Sequence, residues 1–402
     1  MTRMKDSGNP WVREIPSNWF EKKLRYLVEL RGEKSVTTDY KKYVGLENIM
    51  SQTGQYVQTG IEVDLTENLT FEVGDILFGK LRPYLRKYWR AEFSGTASSE
   101  FVIIKGSSLN LHFLFWAIQS DSFINDVDSS TYGSKMPRAS WGYMKNIKLP
   151  FPESIEEQAK IAVFLDKKVA QLDKVKSLLE EQIKTLEDYR QSLIYETVTK
   201  GLDKTVPLKD SGVDWIGQIP EGWEITRLKY ICGMQSGNNL TSLEISSEND
   251  GGKIFPVYGG NGQRGYYSDF TNEGNYCLVG RQGALAGNIH FVSGKFWATD
   301  HAIVVYEHTH TYSKYLYYLL KVMNLNQYAF ETSAQPGLSV EKILQLETIH
   351  CPKGEQSQIA DFLDKKTEQI NQMIAIKKEQ IENINKQRQT LIYDYVTGKR
   401  RV

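Results

Sequence analysis

From Ile155 to Thr199 the chain runs without a proline or a glycine, and its apolar residues return at steps of four and three. This pattern predicts one long helix, roughly 65 Å at 1.5 Å per residue, punctuated by Pro150 and Pro152 before it and Gly201 after it. Counted in heptads, the seam reads Ile161, Leu165, Lys168, Leu172, Val175, Leu179, Gln182, Leu186, Tyr189 and Leu193. A second such segment reads Ile359, Leu363, Lys366, Ile370, Met373, Lys377, Gln380, Ile384, Gln387 and Leu391. A helix this long cannot bury its stripe in a small domain, so the two copies are expected to pair, parallel or antiparallel. The polar seam residues Lys168, Gln182, Lys366 and Gln380 either fix the register or stand where the seam reaches solvent. Elsewhere the pattern is that of strands. FVIIK from Phe101 and AIVVY from Ala302 are each followed by a short apolar helix, HFLFWAIQS and KYLYYLLKVM.

The second long helix is a copy of the first. EQAKIAVFLDKK from Glu157 returns as EQSQIADFLDKK from Glu355, and the register holds without a gap to Thr199 and Thr397. The opening of the chain is also written twice. Trp11, Ile15, Pro16, Trp19, Leu24 and Tyr26 recur as Trp215, Ile219, Pro220, Trp223, Leu228 and Tyr230. Between these constant edges the middles diverge, although GDILFGKLRP at Gly74 stands roughly where GNYCLVGRQG stands at Gly274. The division expected is a first mixed domain over 1–152, a long helix over 153–200, a second mixed domain over 201–352 and a second long helix over 353–402. The fold class is α+β with an internal repeat.

Composition narrows the chemistry. The 402 residues balance 49 basic against 49 acidic side chains, which at first sight argues against a nucleic-acid partner, but the distribution says more. The first domain and the last helix lean basic, the second domain acidic. No apolar run approaches a membrane span, no secretory signal opens the chain, and three scattered cysteines fit a reducing, cytoplasmic setting. The strongest local signal is GKLRPYLRKYWR, Gly79–Arg90, with five basic residues, three aromatics and no acid. Arg, Lys, Asn and Gln read base edges and cations hold phosphates, so Lys80, Arg82, Arg86 and Lys87 are candidate DNA contacts, with Tyr84 and Arg90 beside them. Lys135 and Arg138, in TYGSKMPRASW, form a second candidate loop. In the acidic domain the candidates are Asn261, Gln263 and Arg264 in YGGNGQRGYY, then Arg281 and Gln282, then Gln335 in TSAQPGLS. The plainer alternatives are a solvated basic strand edge in the first domain and a tight glycine turn in the second.

No catalytic constellation competes. Asn9-Pro10-Trp11 lacks the second proline of an adenine methyltransferase loop, and no Walker loop occurs. YGGNGQRGYY, although Gly260, Gly262 and Gly265 have G-x-G-x-x-G spacing, reads as a hairpin or base-approach loop and not a dinucleotide site. His308 and His310 have no cysteine or carboxylate partners in a metal pattern. The non-enzymatic rival is a coiled-coil scaffold tethering two protein-binding domains.

The duplicated W-x3-IP-x2-W and EQ-x2-IA-x-FLDKK segments, in the same order twice, resemble the DNA-specificity subunits of type I restriction–modification systems. GDILFGKLRPYLRKYW, YGGNGQRGYY and FWATDHAIV fit the same family, and the resemblance spans essentially the whole chain. It implies two target recognition domains, each reading half of a split double-stranded DNA site, and an antiparallel coiled coil setting the spacer. Ile161, Leu165, Leu172, Leu179 and Leu186 would face Ile359, Leu363, Ile370, Ile384 and Leu391 there, or a partner subunit. The family implies two methyltransferase subunits carrying S-adenosylmethionine and two restriction subunits using ATP and Mg, with no catalysis or cofactor on this chain.

Overall fold

The computed structural model describes residues 3–9, 12–36, 42–59, 67–133, 135–329 and 337–402, so Pro10, Trp11 and Gln335 fall outside it. The chain divides into two units, residues 1–180 with 378–402, and residues 181–377. Each unit therefore holds one mixed domain, the start of one long helix and the end of the other. The long helices run Ile155–Lys200 and Lys353–Val396.

In the first unit, the strand Phe101–Ser107 lies between Val28–Leu30 and Ile76–Gly79, with Tyr88–Arg90 at the far edge. A second four-stranded sheet is built on Glu67–Phe71 and Gly95–Ala97. The second unit has a six-stranded sheet in which Ala302–Glu307 lies between Cys232–Ser236 and Asn272–Gly280. Both apolar strands anticipated by alternation are thus central, and each pairs antiparallel with a strand whose last residue is glycine, Ile76–Gly79 or Asn272–Gly280. The short apolar helices behind them run Leu111–Ala117 and Ser313–Val322.

The repeated motifs are where each domain grips the long helices. In the first unit Ile161, Ala162 and Leu165 are buried with Trp19, Phe113 and Leu114, and with Ile392 and Val396 from the end of the second long helix. In the second, Ile359, Ala360 and Leu363 sit with Trp223, Tyr315 and Leu319, and with Ile194 and Val198. The IA-x-FL face therefore packs on its own domain as well as on the end of its twin. Two polar residues fasten this contact in each copy. The Gln158 amide accepts from the Asn110 N–H at 2.7 Å and donates to the Pro152 carbonyl at 2.8 Å. Gln356 repeats this with the Tyr312 N–H (2.8 Å) and the Cys351 carbonyl (2.7 Å). Asp166 accepts from Trp116 Nε1 at 3.0 Å and meets His112 Nε2 at 2.8 Å, while Asp364 accepts from the Tyr318 hydroxyl at 2.7 Å and pairs with Lys314. The IP-x2-W segments receive the helix ends. Gly201 (φ +70°) turns out of its helix against Trp223, and Gly398 (φ +76°) against Pro16 and Trp19, left-handed positions where a Cβ is strained.

Within each unit the helix segments run antiparallel. In the first, the rings of Phe164 and Tyr395 are 4.5 Å apart and Asp173 meets Arg388 at 3.5 Å. In the second, Lys377 donates to Gln182 at 2.6 Å and Arg190 to Asn371 at 2.5 Å. Arg190 and Arg388 are equivalent positions of the repeat, as are Asp173 and Asn371, so one contact is written once in each unit. The seam differs from the heptad count. Its inward side runs Ile161, Leu165, Val169, Leu172, Lys176, Leu179, Ile183, Leu186, Arg190 and Leu193, and in the copy Ile359, Leu363, Thr367, Ile370, Ile374, Lys377, Ile381, Ile384, Arg388 and Leu391. Lys168, Val175, Gln182 and Tyr189 stand one residue outside it and are exposed, as are Lys366, Met373, Gln380 and Gln387. The slip begins at Leu165. There the helix rests on its own domain with two successive steps of four, as the 3.6-residue period of a straight helix allows.

Candidate nucleic-acid interface

In the first unit the segment after the strand Ile76–Gly79 is a strained hook. Arg82 (φ +50°) and Arg86 (φ +55°) are both left-handed and bracket the 3-10 turn Pro83–Leu85. Residues other than glycine visit this region rarely and at a cost, and such outliers concentrate at functional sites. The turn lifts Tyr84 into solvent, 50% exposed. The other predicted loop closes against this hook. The Arg82 N–H donates to the Pro137 carbonyl at 2.7 Å, Arg82 Nη2 to the Lys135 carbonyl at 3.1 Å, and the Ala139 N–H to the Lys80 carbonyl at 2.9 Å. Two stretches some fifty residues apart in sequence thus form one patch. Tyr132, Lys135 and Met136 are exposed on it.

The cations of this patch are not equivalent. Among the described residues the side chains of Lys80 and Lys135 have no ion pair, and Arg82 meets only a carbonyl. Arg138 is held by both carboxylate oxygens of Glu100 (2.7 and 3.1 Å), and this pairing raises its pKa. Arg86 and Lys87, predicted beside them, work inside the fold. Arg86 pairs with Asp121 and is mostly buried, and Lys87 donates to the Leu46 and Ile49 carbonyls at 2.7 and 3.0 Å. Arg90 is exposed at the edge of its sheet.

The second unit builds its patch from backbone. The hairpin Phe255–Gly259 to Gly262–Tyr267 lays Gly260 against the end of the strand Asn272–Gly280. A Cβ on Gly280 would stand 2.6 Å from the Gly260 carbonyl, so this approach needs glycine. The Arg281 N–H donates to the His301 carbonyl, and the Arg281 carbonyl accepts from the Leu338 N–H, both at 2.9 Å. Gln282 bridges Gly337. Asn261, Gln263, Arg264, Gln282 and half-buried Arg281 are thereby gathered, and neither arginine has an ion pair among the described residues. His301 joins them by tertiary packing, without a sequence signal of its own. Gln263 also borders an open cleft with His290, Lys314, Tyr317 and Lys321. Burial lowers the His290 pKa, and Lys321 adds to the effect. His308 turns its Nδ1 to the Tyr230 carbonyl at 3.1 Å. Among the described residues no three His, Cys, Asp or Glu side chains are grouped to hold a metal, and no helix is long and apolar enough to cross a membrane.

Comparison with known proteins places this architecture. The Escherichia coli EcoprrI specificity subunit is 40% identical over 138 residues, 34% of each chain, and the Methanocaldococcus jannaschii MjaVIII specificity subunit is 26% identical over 318 residues, 72% of this chain and 70% of that one. The chain thus spans about a third of the length of the first of these relatives. A solved chain from work on complex assembly and conformational transition of the type I R-M system has the same fold at a TM-score of 0.74, with 18% identity over 96% of this chain and 99% of that one. The HsdS subunit of Thermoanaerobacter tengcongensis follows at 0.51, with 19% identity over 96% and 98%. The family model for the type I restriction modification DNA specificity domain matches twice, over residues 16–187 and 220–384, and its two matches coincide with the two written copies of the frame. By that doubled match over most of its length, the chain belongs to the type I restriction–modification DNA specificity family.

Proposed function

We propose that this chain is the sequence-reading, non-catalytic subunit of a type I restriction–modification complex, and that each unit reads one half of a bipartite DNA site. The observation that carries this reading is the contrast between constant frame and variable patch. Gln, Asp and Trp at equivalent positions of the repeat fasten both domains to the long helices, yet one patch is a cationic hook with an exposed tyrosine and the other a set of amides and arginines on packed glycines. Lys80, Arg82, Tyr84, Lys135 and Arg138 are assigned to the first half-site, and Asn261, Gln263, Arg264, Arg281 and Gln282 to the second. Amides and guanidinium groups supply the paired donors and acceptors that base edges require. The paired helices set the spacer and dock two methyltransferase subunits, with two restriction subunits completing the assembly. S-adenosylmethionine, ATP and Mg act on those partners.

The test is expression with the modification subunits followed by mapping of methylated adenines. A split motif is expected, and Arg82→Ala or Arg264→Ala should relax one half only, each good bidentate contact being worth about 1–3 kcal/mol of discrimination. An undivided motif, or relaxation of both halves by one substitution, would sink the proposal. Insertion of one heptad into both long helices should lengthen the preferred spacer.

A further inference from the structure

The first unit carries a second cationic surface, formed where the strand Trp19–Lys23 pairs with Lys148–Pro152. Lys23 lies directly opposite Lys148 in that register, with Lys22 one position before it. Arg25 follows on the next turn, its N–H donating to the Lys145 carbonyl at 3.0 Å, and its guanidinium covers the ring of Tyr26 at 4.8 Å. Tyr26 itself is 65% exposed. Among the described residues Lys22, Lys23, Arg25 and Lys145 have no ion pair, whereas Lys148 and neighbouring Glu21 each have an interaction of their own. Like charges facing each other across a ladder destabilise it.

The internal repeat supplies the comparison. Leu24 donates its N–H to the Ile147 carbonyl and Leu228 donates to the Leu346 carbonyl, so Lys23 corresponds to Arg227 and Lys148 to Glu347. In the second unit the facing pair is Arg227 and Glu347, opposite in sign. Lys22 corresponds to Thr226 and Lys145 to Leu344, both uncharged. The exposed tyrosine under a cation is kept, as Tyr230 and Lys229 at 5.1 Å. Of the four cations the second unit keeps two, as Arg227 and Lys229, and it sets Glu347 where the first has Lys148, so one site of the frame is strongly basic in the first unit and only weakly basic in the second. This difference cannot serve a role that both copies share, such as holding the long helices.

We infer that the strip formed by Lys22, Lys23, Arg25 and Lys145 grips DNA phosphates flanking the first half-site, and that the second unit, with two of these cations, has only a weaker equivalent. Resting on the proposed function, this adds a contact that carries no base information. A nucleic-acid backbone fits better than an acidic protein face because of where the strip stands in the chain. Lys145 closes the one-turn helix Trp141–Met144, which leads directly from Arg138 on the recognition patch. A chain of zero net charge must also concentrate its counterion release in such places.

The experiment measures binding to random and to selected duplexes across a salt series, using the full chain assembled with its modification subunits. Replacing all four cations by glutamine should lower the magnitude of the slope of log K against log salt by about 3.6, near 0.9 for each phosphate no longer neutralised, with half-site preference unchanged. Lys22→Arg, Lys23→Arg and Lys145→Arg together should keep the wild-type slope. An unchanged slope in a folded quadruple variant overturns the inference, and so does loss of the modification subunits with the slope intact, which would make the strip a protein-binding surface. If the wild-type assembly fails to prefer a selected duplex, the proposed function falls, while the slope on random DNA still decides the strip.

Discussion

Replacing Ile374 by alanine should unfold the second unit at a distinctly lower temperature, whereas replacing its neighbour Met373 should not. Ile374 is 6% exposed and Met373 47%. A strict heptad count puts Met373 in the seam, and the structure puts Ile374 there. Truncation at Ile374 removes about three buried carbons, worth roughly 2.4 kcal/mol at ~0.8 kcal/mol each. The residual cavity adds to the loss, but two helices bordered by solvent can close around it, so a net cost of about 2 kcal/mol is expected, the lower end for such truncations. For a unit of this size that is a fall of about 4–8 °C in melting temperature. Met373→Ala should stay within about 0.5 kcal/mol, as exposed substitutions do. Differential scanning calorimetry gives the shift, and hydrogen exchange over the paired segments of the second unit assigns it. Equal losses from the two variants, or the larger loss from Met373→Ala, would refute the register. Val169→Ala against Lys168→Ala poses the same question in the first unit.

Gln158→Ala should destabilise the first unit by about 2–3 kcal/mol in chemical denaturation, because it strands the Asn110 N–H and the Pro152 carbonyl; a loss under about 0.5 kcal/mol would contradict the clasp. Burial pushes the Cys232 and Cys351 thiols up to about 12 and Cys277 higher still, so the native chain should resist an aromatic disulfide reagent at about pH 8 and react only once denatured. Rapid reaction of any thiol in the native chain would refute this. The folded state depresses the His290 pKa, so the unfolded chain takes up its proton first as pH falls, and stability declines below about 6.5 until the folded pKa is passed. Relative to His290→Asn, the wild type should therefore lose stability between about pH 7 and pH 5, and a flat difference between their melting temperatures would argue against it.

The written repeat, the long helices and the central strands were legible in the sequence because each rests on local periodicity or on direct comparison of two strings. The candidate loops were legible as residue types in the right company, and GKLRPYLRKYWR and YGGNGQRGYY both come to lie on exposed patches. Which of their cations stay available was not legible. Arg86 is engaged by Asp121, 35 residues away, and Lys87 by carbonyls about 40 residues away, and no local window contains those partners. The IA-x-FLDKK face has the spacing of a seam between helices, yet it is first a domain contact, since Gln158, Asp166 and their copies find their partners only when each domain closes on its helix. The seam itself shows the boundary between the two kinds of information. Apolar spacing alone determined that two long helices would pair. Whether residue 168 or 169 turns inward depends on a rotation of about 100° per residue, and packing of Leu165 and Val169 against their own domain decided it.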